Sequence, residues 1–286
     1  MKSKANQKYY HLMLFPGMFF LFLFHIIPLG GVIMAFQDFK PIRGILHSEF
    51  IGFDNFKQLF ILPDFRQIMT NTVVIAVCKI VIGMVAAVAF AVLLNECRNV
   101  RLKRMVQTAV YLPHFLSWVI LAVMFSNLLS YTGVINSLLG LFGIEPQMFL
   151  VNNKWFRTIV ILGDVWKEFG YNAVVYVAAM TAIDPGLYEA AQIDGALPAI
   201  LPTLILMMTL NMGQIMNAGF DEVFNLYSPL VYETGDIIDT YVYRVGLTNM
   251  QYSFGTAVGM FKSVISFLLL TLSYKLADRF AGYRIF

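Results

Sequence analysis

Leu12-Met-Leu-Phe-Pro-Gly-Met-Phe-Phe-Leu-Phe-Leu-Phe-His-Ile-Ile-Pro-Leu-Gly-Gly-Val-Ile-Met-Ala-Phe36 is 25 residues long and carries no formal charge. A helix that crosses a bilayer needs about 20 apolar residues to cover a hydrocarbon core of about 30 Å. The run therefore predicts a membrane span. Lys2, Lys4 and Lys8 precede it like the basic start of a signal peptide. The run is too long for a signal sequence, however, and no small-residue cleavage site follows it. It reads as a retained first span.

Working outward, five further apolar runs appear. Ile68–Leu94 is broken only by Lys79, and Met105–Leu129 has no formal charge. Thr158–Ile183 carries Asp164, Lys167 and Glu168, Ala196–Asn217 carries none, and Phe254–Ala277 contains Lys262. Each is long enough to cross as a tilted helix. Ten-residue alternating segments are absent, which excludes the closed β-barrel, the other spanning solution. The predicted fold class is an all-α integral membrane protein with six transmembrane helices. Composition agrees: 59% of the 286 residues are hydrophobic and 13% charged, against about 25% charged in soluble domains. No repeat or Gly/Ser linker divides the chain, so 1–286 reads as one domain.

The Lys and Arg distribution predicts orientation. Both termini and the loop between spans two and three hold ten basic residues, among them Arg98, Arg101, Lys103 and Arg104. The opposite loops hold seven, spread over longer segments. The bias puts both termini in the cytoplasm. The loops at 37–67, 130–157 and 218–253 are then external, and the last is acidic, with Asp221, Glu222, Glu233, Asp236 and Asp239. Cys78 and Cys97 would lie about 28 Å apart on one helix, too far to pair. The basic cluster is too short for a nucleic-acid surface.

Catalysis finds little support. His11, His25, His47 and His114 are scattered without metal-ligand spacing, and there is no Walker A, Gly-x-Ser-x-Gly or His-Glu-x-x-His pattern. The charges inside spans are more informative, because ionisable groups there are costly and face a cavity or a partner. Asp164, Lys167 and Glu168 read either as a polar lining or as an ion pair near the outer membrane face, with Asp164 and Lys167 at i,i+3. Lys79 and Lys262 sit deeper and suit a translocation path or a carboxylate of another subunit. Asn211, Gln214 and Asn217 share one helical stripe. They suit sugar hydroxyls or helix–helix hydrogen bonds equally.

Between spans four and five the chain reads Ile183-Asp-Pro-Gly-Leu-Tyr-Glu189-Ala-Ala-Gln-Ile-Asp194-Gly195-Ala196. Asp184 suits an N-cap, Pro185 a first helical position and Gly195 a helix stop. On these grounds alone a simple connector fits as well as a docking element. Glu189-Ala190-Ala191 followed after three residues by Gly195 resembles the EAA signature of permease subunits of binding-protein-dependent ABC importers. Further blocks extend the resemblance along the chain, including Tyr111-Leu-Pro-His-Phe-Leu-Ser-Trp118, Ser228-Pro-Leu-Val-Tyr-Glu233 and Asp236-Ile-Ile-Asp-Thr-Tyr-Val-Tyr-Arg244. The pattern is most similar to the LplB-like polysaccharide and oligosaccharide permeases.

That resemblance implies a type I ABC importer permease fold and an import role for an oligosaccharide or polysaccharide fragment. It implies a second, homologous permease, two ATPase subunits that carry ATP and Mg, and an extracellular solute-binding protein. No cofactor is expected on this chain. Residues 184–196 would form the cytoplasmic coupling segment, with Glu189, Ala190, Ala191, Asp194 and Gly195 against the ATPase. One departure stands out. Leu197-Pro198 follows Gly195 almost at once, where the family pattern suggests about ten more residues, or about 15 Å of helix at 1.5 Å per residue. A self-sufficient secondary transporter is the rival reading. It would bring pseudo-symmetric halves and a broken helix with its own ion site, neither of which the sequence shows.

Overall fold

The computed structural model describes residues 2–182, 207–209 and 211–281. In chain order its main elements are α1 (Lys2–Leu21), β1 (Gln37–Asp38), β2 (Glu49–Phe50), α2 (Asp54–Ile61), α3 (Phe65–Glu96), α4 (Val100–Tyr111), α5 (Trp118–Leu128), α6 (Val134–Leu141), α7 (Asn153–Thr181), α8 (Phe220–Leu226) and α9 (Tyr252–Ala281). Among the described residues, three helical stretches are long and apolar enough to cross a membrane: Tyr9–Phe36, Phe65–Glu96 and Tyr252–Lys275. The coupling segment 184–196 and most of the fifth predicted span lie outside the described residues.

The third predicted span differs from its expectation of one helix over Met105–Leu129. It is two helices, α4 and α5, bent by 102° across a 3-10 turn at Leu112–Phe115. The local chemistry explains the break. Pro113 lacks an N–H and cannot continue the α-helical ladder. Ser117 then caps a new start, its hydroxyl accepting from Ile120 N–H at 3.4 Å. Asn99 caps α4 in the same way, accepting from the N–H groups of Arg101 and Leu102 at 3.0 and 3.2 Å.

The chain forms two compact units. One comprises Met1–Leu62 and Val242–Phe261. Here α1 continues through a π-helical turn at Phe22–Ile26, where Ile27 N–H donates to Phe22 O. Pro28 follows, without the N–H an α-helical turn would require. A two-residue antiparallel ribbon pairs Gln37 with Phe50 and Asp38 with Glu49. Asn55 closes it by donating to Ala35 O at 2.9 Å and Gln37 O at 3.2 Å. Phe39 N–H donates to Ser253 Oγ at 2.8 Å in the same unit.

The other unit comprises Pro63–Tyr241 and Lys262–Phe286 and holds the candidate site. Helices α3 and α7 form its spine. Ala87 and Ala91 face Ala173, Tyr176 and Met180 in one fully or nearly buried cluster. Small side chains let two backbones approach where lipid offers no hydrophobic drive. A second cluster joins Ile75 and Ala76 of α3 to Phe156, Val160 and Ile161 of α7 and to Val223 of α8. The acidic stretch 218–253 is therefore not a plain external loop from its first residue. Its beginning packs beside the middle of α3.

Candidate functional site

Lys79 lies midway along α3, with 8% of its side chain exposed. Its ammonium bonds the carboxylate of Glu222, which is fully buried, and donates to Ala218 O at 2.9 Å. Asp164 of α7 brings Oδ1 to 3.6 Å of the same nitrogen. A buried ammonium without partners would be costly, and the two carboxylates answer that cost. The turn into α8 is shaped for the contact. Gly219 has φ of +93°, and a Cβ there would stand 2.8 Å from Lys79 Nζ. Asp164 thus turns to Lys79 rather than to Lys167, its i,i+3 neighbour.

Lys167 serves a second cluster one turn along α7. Its ammonium donates to Glu168 Oε1 at 2.7 Å and to His114 O at 2.9 Å. Glu168 Oε2 lies 2.7 Å from His114 Nδ1, and the His114 ring stacks on Tyr171 at 3.8 Å. His114 belongs to the 3-10 turn of the bent pair, so α7 side chains hold the 102° break in place. The same two elements meet closely at Gly170, where a Cβ would stand 2.6 Å from Val110 O.

Between α3, α7 and the chain around 207–219 opens a cavity of about 190 Å³. Lys79, Asp164, Glu168, Asn172, Asn211, Gln214 and Asn217 supply its polar lining. Asn211, Gln214 and Asn217 face it together because successive i to i+3 bonds wind this stretch. Gln214 N–H donates to Asn211 O at 2.9 Å, and Asn217 N–H to Gln214 O at 2.7 Å. Three residues per turn stack positions i, i+3 and i+6. Asn217 Nδ2 also donates to Gln214 Oε1 at 3.3 Å.

No family model matches the chain. The polygalacturonan/rhamnogalacturonan transport system permease protein YteP of Bacillus subtilis (strain 168) is 40% identical over 292 residues, covering 98% of this chain and 91% of its own length. The chain belongs to the permease family of carbohydrate ABC transport systems. Protein LplB of the same bacterium is 37% identical over 98% of this chain and 92% of its own. The fold agrees with a crystal structure of a bacterial ABC transporter involved in import of the acidic polysaccharide alginate, at a TM-score of 0.88 and 34% identity over 98% of both chains. A second structure, with an alginate pentasaccharide-bound periplasmic protein, gives a TM-score of 0.89 at 33% identity, covering 99% of both chains. This permease is thus a multi-pass membrane component of an ABC transport system, and its relatives are transport proteins, not enzymes. The alignment with YteP runs over more positions than this permease has residues, so part of the relative has no counterpart here.

Of the residues singled out from sequence, the structure brings Lys79, Asn211, Gln214 and Asn217 to one cavity. Lys262 is not in that lining. It bonds Asp239 Oδ1 at 2.5 Å. Glu189, Ala190, Ala191, Asp194 and Gly195 fall outside the described residues. Glu222 and Asn172 were not among the candidates. Glu222 looked like one acid among five in a loop, and its partner lies 143 positions away. Asn172 sits in an apolar helix, where only its placement one turn beyond Glu168 hints at the lining.

Proposed function

We propose that the permease passes an oligosaccharide, or a fragment of a polysaccharide, from an extracellular solute-binding protein to the cytoplasm. The polar cavity inside an otherwise lipid-adapted helical unit carries this reading, because Asn and Gln amides offer both donors and acceptors to sugar hydroxyls. Kinship with YteP and the fold shared with the alginate importer support it. The chain works as one transmembrane permease domain of six spans with both termini in the cytoplasm. It pairs with a second, homologous permease and with two ATPase subunits, which bind ATP and Mg. Residues 184–196 dock on the ATPase through Glu189, Ala190, Ala191, Asp194 and Gly195. The path for sugar runs past Asn211, Gln214, Asn217 and Lys79, while Lys262, paired with Asp239 outside this cavity, has no part in its lining.

Uptake of labelled oligosaccharides by the source cells tests this. Deleting the gene abolishes uptake, and tagged permease co-purifies with an ATPase. One sugar hydrogen bond contributes about 1 kcal/mol net. Asn211→Ala and Gln214→Ala therefore each weaken uptake several-fold while the complex stays assembled. Uptake that persists without any ATPase partner would overturn the reading in favour of a secondary transporter.

A further inference from the structure

Helix α4 has two faces of different character. On one, Val110 meets Gly170 of α7, and Val106, Gln107 and Tyr111 are half-buried. On the other a groove of about 580 Å³ opens, and its described wall includes Arg101, Arg104, Met105, Thr108, Ala109 and Leu112, all exposed. Arg101 and Arg104 put two guanidinium groups at one end. Met105, Ala109 and Leu112 continue from them as an apolar line about 10 Å long at 1.5 Å per residue. Thr108 lies beside that line and donates its hydroxyl proton to Arg104 O at 3.0 Å. The charge at the basic end is unanswered within the protein. Arg98, Arg101, Lys103 and Arg104 crowd together, and no Asp or Glu occurs between Glu96 and Glu145. Among the described residues none of the four forms an ion pair. Cations in a first helical turn also oppose the macrodipole, and α4 has no acidic residue there to offset them. Helix stability therefore does not account for the arrangement.

Two neighbouring guanidinium groups suit a phosphate, which they bind through paired N–H donors. The apolar line beside them suits hydrocarbon. A soluble phosphate leaves the apolar line bare, and so does an acidic protein surface. A zwitterionic lipid brings a cation of its own next to the phosphate and leaves the arginines partly unanswered. A phospholipid of net negative charge answers both ends at once. We propose that the groove on α4 binds an anionic phospholipid, its phosphate at Arg101 and Arg104 and an acyl chain along Met105, Ala109 and Leu112. Basic pockets on the cytoplasmic side of membrane helices take anionic headgroups on the same physical grounds. The inference rests on the reading with both termini in the cytoplasm for its leaflet alone, the cytoplasmic one. The contact itself requires only this face of α4.

The test uses the permease purified in detergent with its native partners. It is titrated with dioleoyl phosphatidylglycerol and, separately, with dioleoyl phosphatidylcholine, and bound lipid is counted by native mass spectrometry. The wild type binds phosphatidylglycerol in preference. Arg101→Gln combined with Arg104→Gln weakens that binding about thirtyfold, the product of two cation contacts. Arg98→Gln combined with Lys103→Gln removes as much charge outside the groove and weakens it no more than about threefold, because more distant charges are screened. Ala109→Trp keeps all four cations, fills the apolar line and weakens binding on the order of tenfold. Equal binding of the two lipids overturns the inference. So does an equal loss in the two double variants, which would make the attraction diffuse. Displacement of the lipid by an equal concentration of glycerol phosphate reduces the groove to an anion site and overturns it too. Absence of lipid from the wild-type complex overturns it as well, and lipid on the permease freed of its partners would then mark a partner chain as the occupant. Orientation is read separately, by thiol labelling at position 101 in intact cells. Labelling from outside overturns the assigned leaflet and leaves the lipid counts in detergent unchanged.

Discussion

At the scale of single residues, the group on which most depends is the Lys79 ammonium. It joins α3 to α7 through Asp164 and to α8 through Glu222. Replacing such an ion cluster by apolar groups can be neutral, whereas removing one member leaves uncompensated buried charge and costs about 3–5 kcal/mol. Lys79→Met should accordingly lower the thermal midpoint of the detergent-purified protein markedly. Adding Glu222→Leu to Lys79→Met should recover a large part of the loss, because the orphaned carboxylate goes with its partner. A Lys79→Met protein that melts like the wild type would show the cluster to be dispensable for folding. Gly219→Ala should resemble a weaker Lys79 variant. Its Cβ would crowd Lys79 Nζ, and its φ of +93° disfavours any side chain. Lys79 was legible in sequence as a charge in need of a partner. The partner was not, because only the tertiary fold brings Glu222 across 143 positions to meet it.

At the scale of elements, hydrophobic run length located α3 and α9 well, since a long uninterrupted apolar run has few other stable solutions in lipid. The same measure hid the break between α4 and α5. Pro113 and Ser117 both signal a stop and a restart, yet the residues around them are apolar enough to read as one span. The stripe of Asn211, Gln214 and Asn217 was legible because three-residue spacing survives a change from α-helical to tighter turns. The break is held by α7, and close backbone approach at Gly170 brings that helix to α4. Gly170→Ala places a methyl 2.5 Å from Val110 Cγ1 and 2.6 Å from Val110 O. The helices must separate, at a cost of about 1–3 kcal/mol. Gly140→Ala on α6 is the contrasting case. Nothing lies within 4 Å of its Cβ position, and helix propensity favours Ala over Gly by about 1 kcal/mol. Thermal unfolding of the two variants should move in opposite directions. A Gly170→Ala protein as stable as Gly140→Ala would mean that α7 and α4 do not pack this closely.

At the scale of the whole molecule, two consequences of the permease reading can be measured. The first is sidedness. In a background with Cys78 and Cys97 replaced by Ala, cysteines at the exposed positions Ile42 and Phe142 should react with an impermeant thiol reagent in intact cells. A cysteine at the exposed Arg101 should react only after the membrane is opened. Labelling of position 101 from outside would invert the topology. The second is coupling. ATP hydrolysis on a separate subunit can move the spans only through a segment that reaches it. Glu189-Ala-Ala and Gly195 have the form of such a segment: small side chains allow a partner surface to approach, and glycine permits a turn that a side chain would hinder. Yet Leu197-Pro198 follows at once, and about ten residues fewer than the family pattern shorten a helical lever by about 15 Å. A chain with all its spans and a short lever should insert, assemble and bind sugar, but transmit poorly. In a reconstituted complex, sugar-loaded binding protein should then stimulate ATP hydrolysis weakly. Inserting about ten residues of family-like sequence between Gly195 and Leu197 should restore stimulation, because it returns about 15 Å of reach without touching the cavity. Full stimulation by the chain as it stands would show that the short segment already reaches the ATPase, and that the deficit against the family lies elsewhere in the chain.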